Sequence, residues 1–81
     1  MVSETIRALL EQTFPDASVD VVDRTGGGDH FHVTVGSATF EGLSLVEQHR
    51  LVNRALAEPL TDGSIHELRI TTKGNPTDDA A

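Results

Sequence analysis

The sequence contains no cysteine, tryptophan or tyrosine, and only three phenylalanines and one methionine. Without cysteine the chain cannot close a disulfide, build a thiolate zinc site, attack with a thiol or hold an iron–sulfur cluster on its own sulfurs. Any soft metal needs ligands from a partner. Positive charge is scarce too: six Lys plus Arg face thirteen Asp plus Glu, a formal net charge of -7. Such a balance repels nucleic-acid phosphate except at a local basic patch, and it disfavours anionic membrane surfaces. Long apolar runs are missing as well. The opening MVSETIRALLEQTF carries Glu4 and Glu11 and reads neither as a signal peptide nor as a spanning helix, so the expected compartment is the cytoplasm. At 81 residues the chain is expected to form a single domain, residues 1–73. A domain that short buries roughly 60 to 65% of its unfolded surface, too little for a deep cleft suited to multi-step chemistry. Residues 74–81, Gly-Asn-Pro-Thr-Asp-Asp-Ala-Ala, have nothing to bury and are expected to form a flexible tail.

What the sequence does have is periodicity. Ile6, Leu9, Leu10 and Phe14 form the apolar stripe of an opening helix that Ser3 is placed to cap and Pro15 to stop. Ser18 to Asp23 alternates as a strand with Val19 and Val21 inward, and Thr25-Gly26-Gly27-Gly28-Asp29 breaks it. His30 to Val35 alternates strictly, with Phe31, Val33 and Val35 toward a core and His30, His32 and Thr34 away from it. These two strands are expected to pair as an antiparallel hairpin. From Ser44, a second cap candidate, the period becomes helical: Leu45, His49, Val52 and Leu56 follow one stripe that Leu51 and Ala55 widen, until Pro59 ends it. Ile65 to Thr72 reads as a third strand in which His66, Leu68 and Ile70 share a face. The order predicts an α+β two-layer sandwich with helices on one sheet face, the second and third strands being parallel neighbours across the helical connection. The expected core is Phe31, Val33, Val35, Leu45, Val52, Leu56, Leu68 and Ile70.

Four histidines stand out in so small a chain. His30 and His32, two apart on the outer face of one strand, carry neutral imidazoles suited to zinc, copper or iron. If the third strand lies parallel beside the second, both strand starts fall at one end of the sheet and His66 approaches His30. Two readings of His66 stay open on spacing alone, a ligand or a strand-end side chain bonded to a backbone carbonyl. His49 lies on the apolar stripe and reads as a packed histidine. Arg50 and Arg54 are a like-charge i, i+4 pair that Glu47 and Glu58 can offset, which makes a solvated face a better account than a nucleic-acid patch. The triple glycine runs into a strand instead of a helix N-terminus, so it is read as a flexible hairpin turn and not a phosphate cradle. None of the serines stands in a nucleophile elbow, and no enzyme constellation is found.

The segments Asp29-His30-Phe31-His32-Val33-Thr34-Val35, Phe40-Glu41-Gly42-Leu43-Ser44-Leu45-Val46-Glu47-Gln48-His49-Arg50-Leu51-Val52 and Ile65-His66-Glu67-Leu68-Arg69-Ile70 together resemble the BolA family, over nearly the whole chain to about Thr72. The resemblance implies an α-β-β-α-α-β order similar to class II KH domains, with a three-stranded mixed sheet. It implies a non-enzymatic adaptor, a monomer when alone, that binds a monothiol glutaredoxin of the CGFS type and shares a bridged [2Fe–2S] cluster with it and glutathione. No cofactor is then expected on the isolated chain. By position His66 is the implied cluster ligand. The second ligand in such proteins is a Cys or His of the hairpin loop; with no Cys present, His30 is the candidate and His32 the reserve. His49, Arg50 and Arg54 match the helix motif and are implied to be structural or partner-facing. A KH-like DNA-binding regulator is the alternative the resemblance also carries.

Overall fold

The computed structural model describes residues 2–74. The chain runs α1 (Val2–Thr13), β1 (Ser18–Asp23), β2 (His30–Gly36), a short 3₁₀ turn (Ala38–Phe40), α2 (Leu45–Ala55), α3 (Ala57–Thr61) and β3 (Glu67–Lys73). The sheet order is β1-β2-β3; β1 pairs antiparallel with β2, and β2 pairs parallel with β3, with His30 opposite Glu67, Val33 opposite Ile70 and Gly36 opposite Lys73. This is an α+β fold with a mixed three-stranded sheet, in the order expected. The domain limits cannot be followed to the expected tail, since residues 75–81 lie outside the described ones.

Strict alternation in β2 does what the pleat requires. Phe31, Val33 and Val35 are buried while His30, His32 and Thr34 are only half-buried. Onto this central strand pack Ile6, Leu10 and Phe14 from the α1 side and Val52, Leu56 and Ile65 from the α2–α3 side, with Phe40 meeting the Phe14 ring at a centroid distance of 5.1 Å. Aromatic pairs tilted at this spacing contribute beyond their buried area. Leu68 and Ile70 face this layer but keep part of their surface, as edge-strand residues do.

Four expectations are corrected. Ser3 lies within α1, which begins at Val2, so it does not cap it. Leu45 is not core: as the first residue of α2 it is 62% exposed. Pro59 does not end the helical region but sits, buried, at the third position of α3, where its missing N–H leaves no hydrogen bond unmade. His66 does not share a face with Leu68 and Ile70, because β3 begins one residue later, at Glu67, and the inward residue there is Ile65.

Ser44 does cap α2. Its hydroxyl accepts from Glu47 N while the Glu47 carboxylate accepts from Ser44 N, a complete capping box. Gln48, on the same helix, donates to the carbonyls of Phe40 and Leu43 and accepts from the Thr72 hydroxyl, fastening α2 to the end of β3. At that end of the sheet the fully buried Ser37 donates its hydroxyl to Asp16 at 2.7 Å, and Asp16 also accepts from Ala38 N. These two bonds, Ser37 first, hold the Asp16 carboxyl below its usual value.

Candidate functional site: an imidazole pair at one end of the sheet

Because β2 and β3 run parallel and in register from their first residues, both strands start at the same end of the sheet. His30 opens β2, and His66 immediately precedes β3. Their rings stand edge to face, with centroids 6.3 Å apart and planes at 87°. The structure therefore brings together the two histidines that the sequence could join only on the condition of a parallel third strand. His66 is the more open, with its side chain 63% exposed against 33% for His30.

The carboxylate of Asp29 lies against both. Its Oδ1 is 2.8 Å from His30 Nδ1, and its Oδ2 is 3.1 Å from His66 Nδ1. The hydrogen bond from His30 is the leading cause that lowers the Asp29 pKa, opposed by partial burial and helped by the charge of both imidazoles. Glu67 stands on the other side of His30, with Oε1 3.7 Å from Nε2, and its second oxygen is 3.3 Å from Arg24 Nη1. Sequence reading missed Asp29, Glu67 and Arg24. Asp29 adjoins His30 in the chain, but its second contact depends on the register of β3.

The loop that delivers His30 is less free than its three glycines suggest. The Asp23 carboxylate accepts from the amides of Thr25, Gly26 and Gly28, and the Thr25 hydroxyl accepts from Gly27 N. Gly26 and Gly28 have φ of 78° and 80°, a backbone region that side chains disfavour and glycine accepts. A tethered turn replaces the flexible one expected. Its amides already bind an anion, the chain's own aspartate.

The other residues singled out from the sequence are elsewhere. His32 is turned to β3, with Nε2 2.9 Å from the Thr71 hydroxyl. It lines a shallow groove along the β3 edge with His49, Asn53, Leu68, Arg69, Ile70 and Thr71. His49 is half-buried there and not in the core stripe. Arg50 and Arg54 are exposed on α2 beside a hollow formed with Leu43, Glu47 and Leu51. Glu47 is committed to the cap, so it does not neutralise them as expected; no ion pair engages either arginine among the described residues.

The donor set is two imidazoles whose Nδ1 atoms both face the Asp29 carboxylate, His30 hydrogen-bonded to it and His66 in contact with it at 3.1 Å, the kind of arrangement by which proteins orient metal-ligating histidines. Among the described residues no group of three or more His, Asp or Glu could hold a metal ion. A pair with solvent-open sides fits a metal centre completed by another molecule. Nor is any helix among the described residues long and apolar enough to cross a membrane.

A small α+β domain with an imidazole pair at one sheet end is thus the class of protein defined. The family model for BolA-like protein matches residues 10–76, and the chain belongs to that family. Among curated relatives, BolA-like protein 1 of Mus musculus is 39% identical over 79 residues, covering 89% of this chain and 57% of that protein. The uncharacterized protein RP812 of Rickettsia prowazekii is 35% identical over 74 residues, covering 91% and 95%. Of the solved structures, BolA1 from Arabidopsis thaliana superposes with a TM-score of 0.84 at 30% identity, over 96% of this chain and 95% of that one.

Proposed function

We propose that the chain is a non-enzymatic adaptor that docks a monothiol glutaredoxin of the CGFS type and supplies His66 and His30 to a [2Fe–2S] cluster shared with that partner and glutathione. Its place would be in iron–sulfur cluster trafficking or iron homeostasis, in the cytoplasm. The observation that carries the reading is the proximity of the two imidazoles, centroids 6.3 Å apart, at an open end of the sheet. With no cysteine in the chain, thiolates have to come from the partner side. Imidazole on one iron raises a cluster's reduction potential and offers a protonatable ligand, which suits a centre that is passed on. On the chain's side, the Asp23-bound loop and the parallel register hold the two rings. His49, Arg50 and Arg54 would then face the partner, on the groove and the hollow either side of α2.

Co-purification with the organism's own monothiol glutaredoxin, followed by the absorption spectrum of the complex, tests this. His66→Ala should leave the isolated domain folded while altering the cluster spectrum and weakening cluster retention. His30→Ala should do the same more mildly, and His49→Ala should leave the spectrum as it is. A wild-type cluster in the His66 and His30 variants would end the ligand reading and leave only a protein-binding role.

The second reading, a nucleic-acid-binding regulator, is favoured by the unpaired Arg50 and Arg54 on an exposed helix face. Two phosphate contacts predict a slope of about -2 in log K against log salt. No measurable DNA affinity at low salt removes it.

A further inference from the structure

Asp29 ends the β1–β2 loop and works through both its backbone and its side chain. Its carbonyl accepts from His66 N at 2.8 Å and Glu67 N at 3.2 Å, which fixes the start of β3 beside His30. Its two carboxylate oxygens each meet one ring nitrogen, Nδ1 of His30 and Nδ1 of His66. An ionised carboxylate has lone pairs and no proton, so the hydrogen bond to His30 requires the proton to sit on its Nδ1, and the 3.1 Å approach of the second oxygen to His66 Nδ1 favours the proton there too, since two lone pairs would repel. A neutral imidazole protonated at Nδ1 carries its lone pair on Nε2.

We propose that Asp29 is the positioning residue of the imidazole pair: it holds His30 and His66 in the Nδ1–H form and thereby makes Nε2 the ligating atom of each ring. This rests on the reading of His30 and His66 as ligands. It also separates His30 from His32 as the loop-side ligand. The Nε2 of His32 is engaged by a hydroxyl, which can donate or accept and so imposes no tautomer. A carboxylate leaves no such choice. Because one side chain addresses both rings, their tautomers are coupled, and losing Asp29 releases the two together.

Ring-nitrogen NMR of the metal-free, ¹⁵N-labelled chain at about pH 8, above the usual histidine titration range, reads the tautomers directly. His30 and His66 should both show a protonated Nδ1 and a lone-pair Nε2. Asp29→Ala should return both rings to a tautomer mixture, and Asp29→Asn, with one acceptor oxygen in place of two, should keep at most one ring fixed. In the glutaredoxin complex Asp29→Ala should weaken cluster retention about 10- to 100-fold, the usual effect of losing such a carboxylate. Mixed tautomers in the unmodified chain, or rings unchanged by Asp29→Ala, would overturn the proposal, and the first of these needs no variant to fold. The two readings fail separately. If His66→Ala and His30→Ala keep the wild-type cluster while the rings are Nδ1-protonated as described, the ligand reading falls and the part of Asp29 in fixing the rings stands. If His66→Ala strips the cluster but the rings are mixed, only the role of Asp29 falls.

Discussion

Leu45 and Leu56 lie on the same apolar stripe of the sequence, and the structure gives them opposite fates, which makes alanine replacement of each a sharp test of the packing. Leu56 is fully buried where α2 meets α3, within the cluster that includes Val52, Phe31 and Ile65. Its backbone amide bonds to Val52 O, a contact any residue retains, so the loss in Leu56→Ala is one of packing. Removing a buried leucine side chain to Ala costs about 2 to 5 kcal/mol, more where the surroundings cannot collapse. A chain of 81 residues has roughly 4 to 12 kcal/mol in all. The variant should therefore lose at least about a sixth of its stability, and up to all of it, and melt about 10 °C or more lower. Leu45→Ala, at a site 62% exposed, should cost less than about 0.5 kcal/mol. Urea unfolding at 25 °C, followed by circular dichroism, measures both, with a common m value as the sign that the unfolded states are alike. A loss below about 1 kcal/mol for Leu56→Ala, or equal losses for the two, would mean that the seating of the α2 face described above is wrong.

Ser44→Ala removes the hydroxyl that accepts from Glu47 N and should cost about 0.5 to 2 kcal/mol in the same urea assay; an unchanged midpoint would show the capping box to be idle. Acid stability follows from three carboxyls, Asp16, Asp29 and Asp62, whose pKa values are lowered chiefly by hydrogen bonds from Ser37, His30 and Ser64 respectively. Since the folded values lie below the unfolded one, their stabilisation is complete above about pH 4 and is lost as the pH falls through the folded values. Asp16→Asn, which keeps an acceptor oxygen but does not titrate, should make the urea midpoint fall less steeply on acidification, and identical slopes would remove Asp16 from the account.

Much of this architecture can be read in the residues, and the failures have definite causes. The alternation at Phe31, Val33 and Val35 settles one face of β2 because a pleated strand has only two faces. Helical periodicity tells which side of α2 faces the sheet but not how far along its length the core extends, so the stripe groups Leu45 with Val52 although its end of the helix is open. Strand alternation alone gives His66 the parity of Leu68 and Ile70, which holds only if the ladder reaches back to Ile65. Ladder pairing starts at Glu67, so the pleat does not dictate where the His66 side chain points. The proximity of His30 and His66 was legible through topology, as a consequence of parallel neighbours. The part of Asp29 was not, since nothing in the local sequence shows that one carboxylate will meet a residue from the far end of the chain. Nor does a run of glycines reveal that Asp23 will organise their amides.

The parallel pairing of β2 with β3 also fixes when in folding the imidazole pair comes into being. The β1–β2 hairpin is local and can form early, whereas β3 can join only after the whole α2–α3 segment has been laid across the sheet, the slow, non-local kind of closure. His66 immediately precedes the last described element, so a chain in which β3 has not docked lacks the His30–His66 pair. An ion held by both rings would therefore be bound by the finished fold alone, and by mass action it would stabilise that state against unfolding. The closeness of His30 and His66 is thus a property of the docked β3 strand, absent until that strand has joined the sheet.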